Sequence, residues 1–358
     1  MFGHQEQSAV DAREQAQRIA FGPSVFQAAR VLRDSGVLER IEEAGAAGMS
    51  FDDIVASQTL TRYALRVLVE AALGIGLLTT EADRYRTTKT AWFVLHDPMT
   101  RVNMDFSHYV NYQGMHSLDI ALQESRPAGL GVLGDWPTIY QALAMLPART
   151  RSAWLAFDHY YSDLAFQPSL DVLAMAGHKR ILDIGGNTGR FARACVERQP
   201  SVQVTILDLP GQVAMSRLQL SGAPGLERID WHPADLLDPQ AILPTGYDAI
   251  WMSQFLDCFA EEEIVSLLTR CGAALQDQGR IYILEPFWDL QNQPAAAFCL
   301  QQTSLYFAAL ANGNSRMYTS DVMAGLVRRA GLELLEIVHP VGIVHSMMIC
   351  RPSRATQL

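Results

Sequence analysis

The residues best placed to do chemistry are Asp183-Ile184-Gly185-Gly186-Asn187-Thr188-Gly189, set between a short apolar run over 180–184 and a helix expected from about Arg190. An acid, a glycine-rich turn and a helix open a Rossmann-like βαβ unit, in which a nucleoside lies against the turn. Glycines there admit positive φ and leave the backbone bare where a ligand must touch it. Spacing decides which nucleoside. Counted from Gly185, a dinucleotide fingerprint Gly-x-Gly-x-x-Gly would need glycines where Asn187 and Arg190 stand. The phosphate loop Gly-x-x-x-x-Gly-Lys-Ser/Thr is absent as well. What remains is Asp-x-Gly-Gly-x-x-Gly, followed by an apolar strand over 202–207 that ends in Asp208, placed to take ribose hydroxyls.

The elements that must hold these residues follow from composition and pattern. A chain of 358 residues, 49% hydrophobic, can bury a large core and is expected to form two or three domains. Its net charge of −10 and its lack of basic runs argue against a nucleic-acid partner. The five cysteines stand singly with no metal-ligand spacing, so no metal is expected and they read as free, buried thiols of a cytoplasmic protein. No signal peptide or membrane-spanning run is expected either.

Along the chain, the first twenty residues read as a frayed lead-in to a helix. Apolar positions from Val25 to Ile41 recur at helical spacing, Ser50-Phe51-Asp52-Asp53 gives an N-cap, and a helix over 61–73 precedes a two-stranded hairpin through Tyr85-Arg86-Thr87-Thr88. This is a winged-helix-like pattern, with DNA binding as one reading. The would-be recognition helix carries only Arg62 and Arg66, which favours subunit packing instead. Further aromatic-rich helices follow over 99–175, with Pro127-Ala128-Gly129-Leu130-Gly131 the expected loop. Beyond Lys179, strands at 180–184, 202–207, 227–231, 248–252 and 280–284 alternate with loops and helices and predict a parallel sheet, joined by later strands near 332–338 and 343–350.

With these elements placed, the chain resembles the S-adenosylmethionine (SAM) dependent O-methyltransferases of plant type and their bacterial relatives. Leu182 to Gly189 matches that family's cofactor loop, and Asp208-Leu209-Pro210 matches its ribose-binding Asp-Leu-Pro. Asp235-Leu236 stands where the family grips adenine, and Ser253-Gln254 where it often has Lys-Trp beside the cofactor. Phe157 to Asp163 is similar to the helix that lies over cofactor and acceptor, so Tyr161 and Ser162 join the expected cofactor contacts. The resemblance implies an α/β fold in which residues 1–98 form a winged-helix-like dimerisation domain, 99–175 a helical acceptor-pocket region, and 176–358 a Rossmann-like SAM-binding methyltransferase domain. It also implies a homodimer that methylates a hydroxyl of a small aromatic or polyketide-like metabolite.

The family's catalytic His-Asp-Trp is here Asp257-Cys258-Phe259, and its later Glu is Ser315. A histidine near pKa 6.5 is a reasonable base for a phenol near 10, whereas an unperturbed Asp near 3.9 leaves about six units, or roughly 8 kcal/mol, uphill. Asp257 serves as base only if burial against Phe255, Phe259 and Trp288 raises its pKa; its other reading is a helix N-cap. His108, His116 and His159 are the alternative bases, with His159 the one placed at the site. Glu285, at the end of the fifth strand, either assists near the acceptor or faces solvent. The missing histidine also leaves open ring-carbon methylation of a phenolic, pigment-type acceptor, and a non-catalytic SAM-binding regulator.

Overall fold

In a computed structural model, the structure describes residues 7–353 except 239. Two compact units result, the first ending at Asp105 and the second beginning at Phe106. The division falls within the expected linker region because a helix runs across its start and Met104 packs into the core of the first unit.

The first unit holds α1 (Ala9–Ala20), α2 (Gly22–Asp34), α3 (Val37–Glu43), β1 (Met49–Ser50), α4 (Phe51–Ala56), α5 (Arg62–Gly74), β2 (Leu78–Glu81), β3 (Arg84–Thr87), α6 (Lys89–His96) and the start of α7 (Pro98–Phe106). Residues 1–6 of the expected lead-in lie outside the described residues; α1 begins after the N-cap Ser8 and buries none of its side chains. Leu32, Leu38, Ile41, Leu65 and Val69 are fully buried and share one core, as their helical spacing predicts. Ser50 caps α4 with a reciprocal bond to Asp53. The expected two-stranded wing has three strands, in the order β1-β3-β2, because Met49 and Ser50 pair with Tyr85 and Arg84. Arg62 pairs with Asp52, and the Arg66 guanidinium lies 3.5 Å over the Phe51 ring.

The second unit contains α8 (Leu118–Glu124), α9 (Ile139–Ala142), α10 (Ala148–Ala176), β4 (Arg180–Ile184), α11 (Arg190–Arg198), β5 (Gln203–Asp208), α12 (Pro210–Gln219), β6 (Ile229–Pro233), β7 (Tyr247–Ser253), α13 (Glu261–Ala274), β8 (Leu275–Glu285), α14 (Pro294–Tyr306), α15 (Ser320–Arg329), β9 (Leu332–Val341) and β10 (His345–Pro352). Much of the loop expected over 127–131 is a 3-10 turn over Ala128–Val132, with Gly129 and Leu130 buried and Gly129 so close to Gly114 that a Cβ would sit 2.3 Å from its carbonyl oxygen. The strand expected from 227 starts at Ile229, since Gly225 at φ 80° opens a 3-10 turn over Leu226–Arg228.

The seven strands lie in the order β6-β5-β4-β7-β8-β10-β9. The first five are mutually parallel and β10 runs antiparallel to both its neighbours. From β4 the chain moves outward to β5 and β6, then returns to the other side of β4 for β7. That reversal opens a crevice at the carboxyl ends of β4 and β7, the place where open α/β sheets bind ligands. Helices cover both faces of the sheet. On one face Trp251 of β7, fully buried, stacks on Phe191 of α11 with ring centroids 4.2 Å apart.

This stack sets a stability expectation. Trp251→Ala should lower the unfolding free energy by about 3–5 kcal/mol, read as a lower urea midpoint. Trp251→Phe keeps the stack and deletes an indole N–H that has no partner, so it should cost less than about 1.5 kcal/mol.

Candidate active site

A cavity of about 260 Å³ opens at the crevice, bounded by the carboxyl ends of β4, β5 and β7, by α10, and by the end of α14. The glycine turn forms its floor. Gly185 has φ 73°, and a Cβ there would stand 2.3 Å from the Phe255 ring; at Gly186 one would meet Ile206 at 2.9 Å. The turn is therefore restricted to residues without side chains, and its backbone is open to a ligand. Asn187 also takes a left-handed φ of 47°, from which its N–H donates to Asp208 Oδ2 at 2.8 Å.

Asp208 ends β5. Its Oδ1 accepts the Leu209 N–H at 2.7 Å, so each oxygen uses one lone pair on backbone and keeps another for a vicinal diol. Burial pushes its carboxyl up to about 6, partly offset by those two donors. Asp235 is half-buried; its Oδ1 accepts from Leu237 N at 2.9 Å. Asp183 is 2% exposed with Oδ2 unpartnered, and burial, followed by the Asp208 charge, lifts it to about 8. Bare glycine backbone, a diol-binding carboxylate and a second acid two strands along fit the adenosyl cofactor that the sequence resemblance implies.

Of the residues singled out from sequence, Asp183, Gly185, Gly186, Asp208, Leu209, Asp235, Leu236, Ser253, Gln254, His159, Ser162 and Asp257 all line this cavity. Gly189 instead starts α11 at φ 80°. Tyr161 is buried beside Phe157 and Tyr160 and is not part of the wall. Cys299 is exposed, against the expectation of five buried thiols, and Cys258 lines the cavity.

Asp257 sits in a short 3-10 turn after β7 and is 5% exposed. It does not cap α13; Ala260 holds that place, its N–H bonded to Glu263 Oε2 at 2.7 Å. The Cys258 thiol lies 3.4 Å from Asp257 Oδ1, and burial raises the Asp257 carboxyl to about 7. Glu285 is 2% exposed rather than solvent-facing. Its Oε1 accepts the N–H groups of Phe255 and Leu256 at 3.0 and 2.8 Å, which anchors the turn that carries Asp257. Burial and the neighbouring Asp257 charge push Glu285 well above the carboxylate range. Two charges in one buried volume repel, so near neutral pH the pair holds on to a proton.

His159 lines the cavity but is a weak base, lowered to about 4 by burial and then by Arg190. His108 and His116 are not among the wall residues, and His116 is exposed. The acceptor end is walled by Phe106, Trp154, Phe157, Tyr306 and Phe307, with Phe106 stacked on Phe157 at 4.0 Å and Trp154 Nε1 donating to Tyr306 Oη at 2.8 Å. Tyr306, Phe307 and Asn312 had no local signature in the sequence; they arrive from α14 and the π turn that continues it over Phe307–Ala311.

The Asp183 burial has a pH signature. Its folded pKa lies above the unfolded value, so the fold loses stability as pH rises from about 4 towards 8. Asp183→Asn should remove that loss. Its urea-derived stability should exceed wild type by about 3–4 kcal/mol more at pH 8 than at pH 5.

Comparisons with known proteins agree with this architecture. The L-tyrosine C(3)-methyltransferase of Streptomyces lavendulae is 27% identical over 317 residues, covering 87% of this chain and 85% of that protein. The 3-hydroxy-5-methyl-1-naphthoate 3-O-methyltransferase of Streptomyces sahachiroi is 28% identical over 254 residues, covering 68% and 69%. Among solved structures, the mitomycin 7-O-methyltransferase MmcR shares the fold with a TM-score of 0.71 at 18% identity, over 96% of this chain and 98% of that one. The Dimerisation2-like domain matches residues 13–85, and the O-methyltransferase domain matches residues 148–333, more than half of the chain. This chain belongs to the O-methyltransferase domain family.

Proposed function

We propose that the protein is a SAM-dependent methyltransferase that modifies a phenolic hydroxyl of a small aromatic or polyketide-like metabolite, with Asp257 as proton acceptor. The observation that carries this reading is one cavity holding both ends of the chemistry. The bare glycine turn and Asp208 lie at one end, and a buried carboxyl among aromatic rings lies at the other. The S. lavendulae and S. sahachiroi relatives, by their names, act on a phenolic amino acid and a hydroxynaphthoate. The chain works as a homodimer through its N-terminal unit, a reading supported by the Dimerisation2-like match and by the exposed Val10, Ile19 and Phe21 around α1.

When bound, SAM supplies an electrophilic methyl on a sulfonium leaving group. The protein's part is alignment and proton removal. Asp208 and the turn at 185–187 hold the nucleoside end. Trp154, Phe157, Tyr306 and Phe307 hold the acceptor ring. Asp257 takes the hydroxyl proton, and its carboxyl near 7 cuts the gap to a phenol near 10 from about six units to about three, roughly 4 kcal/mol. Glu285 positions the turn through Phe255 and Leu256.

Ring-carbon transfer is the second reading. It is favoured by the S. lavendulae relative, whose name places the methyl on a ring carbon. A phenolate gripped at oxygen by Asp257 is nucleophilic at its ortho carbon, so the same wall serves both outcomes.

Purified protein incubated with SAM and a panel of phenols, with product mass and methyl position read, decides between oxygen and carbon. Cofactor binding is the prior test: no heat of SAM binding at millimolar cofactor sinks the proposal, and tight binding without any methylated product favours a regulator. Asp208→Ala should weaken SAM binding by at least about tenfold. Asp257→Asn should leave that affinity within a few-fold while kcat falls by about 10²–10⁴. The wild-type rate should rise with pH through about 7 as Asp257 ionises, and this limb should vanish in Asp257→Asn.

A further inference from the structure

Gln254, immediately after β7, has φ 49°, a left-handed conformation that a residue with a long side chain adopts only when its surroundings hold it. Both ends of its amide are used. Oε1 faces His345 Nε2 at 2.9 Å, and Nε2 donates to Asp158 Oδ1 at 3.3 Å. His345, on β10, is fully buried and pushed down to about 3, so it is neutral and its Nε2 must carry the hydrogen that Oε1 accepts. Asp158, on α10, accepts a second bond at Oδ2 from Asn187 Nδ2, 3.1 Å away. Asn187 is itself left-handed and donates its N–H to Asp208. An unbroken polar chain therefore runs from β10 through the end of β7 and across α10 to the glycine turn and β5.

On α10, Trp154, Phe157 and Asp158 share one helix face, the face that walls the acceptor end of the cavity. Whatever fixes Asp158 fixes those two rings relative to the turn. We infer that Gln254 is a positioning residue: its amide ties Asp158 to His345 and so sets the register of the acceptor wall over the cofactor turn. The inference rests on the methyltransferase reading given above. Gln254 adds alignment, while the affinity for the nucleoside comes from the turn and Asp208. The charged groups around Asp158 are Asp257, Asp163 and Arg190, and its own carboxyl lies near 7 through burial and the Asp257 charge. His159 Nδ1 stands 3.9 Å from it.

The test uses the full chain saturated with S-adenosylhomocysteine and reads backbone hydrogen exchange over residues 154–162. Gln254→Gly accepts the left-handed backbone freely and deletes both amide bonds. Exchange in that segment should accelerate at least about fivefold with the protein kept saturated. Gln254→Glu keeps the length but sets a second carboxylate against Asp158. It should loosen the segment relative to wild type at pH 8 and match wild type at pH 5.5, where Asp158 carries a proton to donate. Unchanged exchange in Gln254→Gly, or equal loosening of Gln254→Glu at both pH values, would each overturn the inference. With an acceptor in hand, kcat should fall by about 10² in Gln254→Gly with KM little changed. If no phenol is turned over by wild type, the methyltransferase reading fails at that step, while the exchange arms still decide the role of Gln254.

Discussion

The site depends on carboxyl groups buried almost without cations. Asp158, Asp183, Asp208, Asp257 and Glu285 gather at the carboxyl ends of β4, β5, β7 and β8, and among the described cavity-wall residues Arg190 is the single arginine, with no lysine. Arg190 is itself paired with Asp163. Desolvation therefore has nothing strong to oppose it, and each of these acids is pushed up from its ordinary range. Such groups are costly to the fold. They are tolerated because backbone N–H groups and side-chain amides receive them, as at Asp208, Glu285 and Asp158.

That constraint underlies the proposed role of Asp257 as proton acceptor, since burial raises its carboxyl. Asp257 takes a thiol donor where Asp208 takes the amide donors of Asn187 and Leu209, so the same burial raises it further. Glu285 holds the turn in place, since its Oε1 grips the backbone of residues 255 and 256, and its own carboxyl is raised by burial and by the Asp257 charge. His159, which sequence reasoning set beside Asp257, is pushed in the opposite direction by the same burial, because desolvation disfavours the charged form of either group.

Alignment is supplied by a different set of residues. Gln254 and Asn187, two non-glycine residues in left-handed conformations, flank Asp158 and connect the covering helix to the turn beneath it. Neither conformation is favourable locally. Both persist because the polar chain from His345 to Asp208 specifies them from several elements at once.

Sequence alone determined the largely parallel sheet, the glycine turn, Asp208 at the end of the second strand of the sheet and the replacement of the resembled family's His-Asp-Trp by Asp257-Cys258-Phe259. Each is written in local pattern: alternating elements, glycine spacing and strand-end acids depend on neighbours a few residues away. The tertiary structure decided the rest. Whether Asp257 capped a helix or faced a cavity depended on how the turn after β7 packs, and Glu285 turned inward because the N–H groups it satisfies lie on that neighbouring turn. The aromatic wall joins Phe106, Trp154 and Tyr306, far apart along the chain, and Gln254 finds His345 91 residues later. No local pattern encodes such meetings, since they arise only when strands and helices close on one another. The pKa shifts follow from the same cause, because burial is a property of the assembled fold and not of a residue's neighbours in sequence.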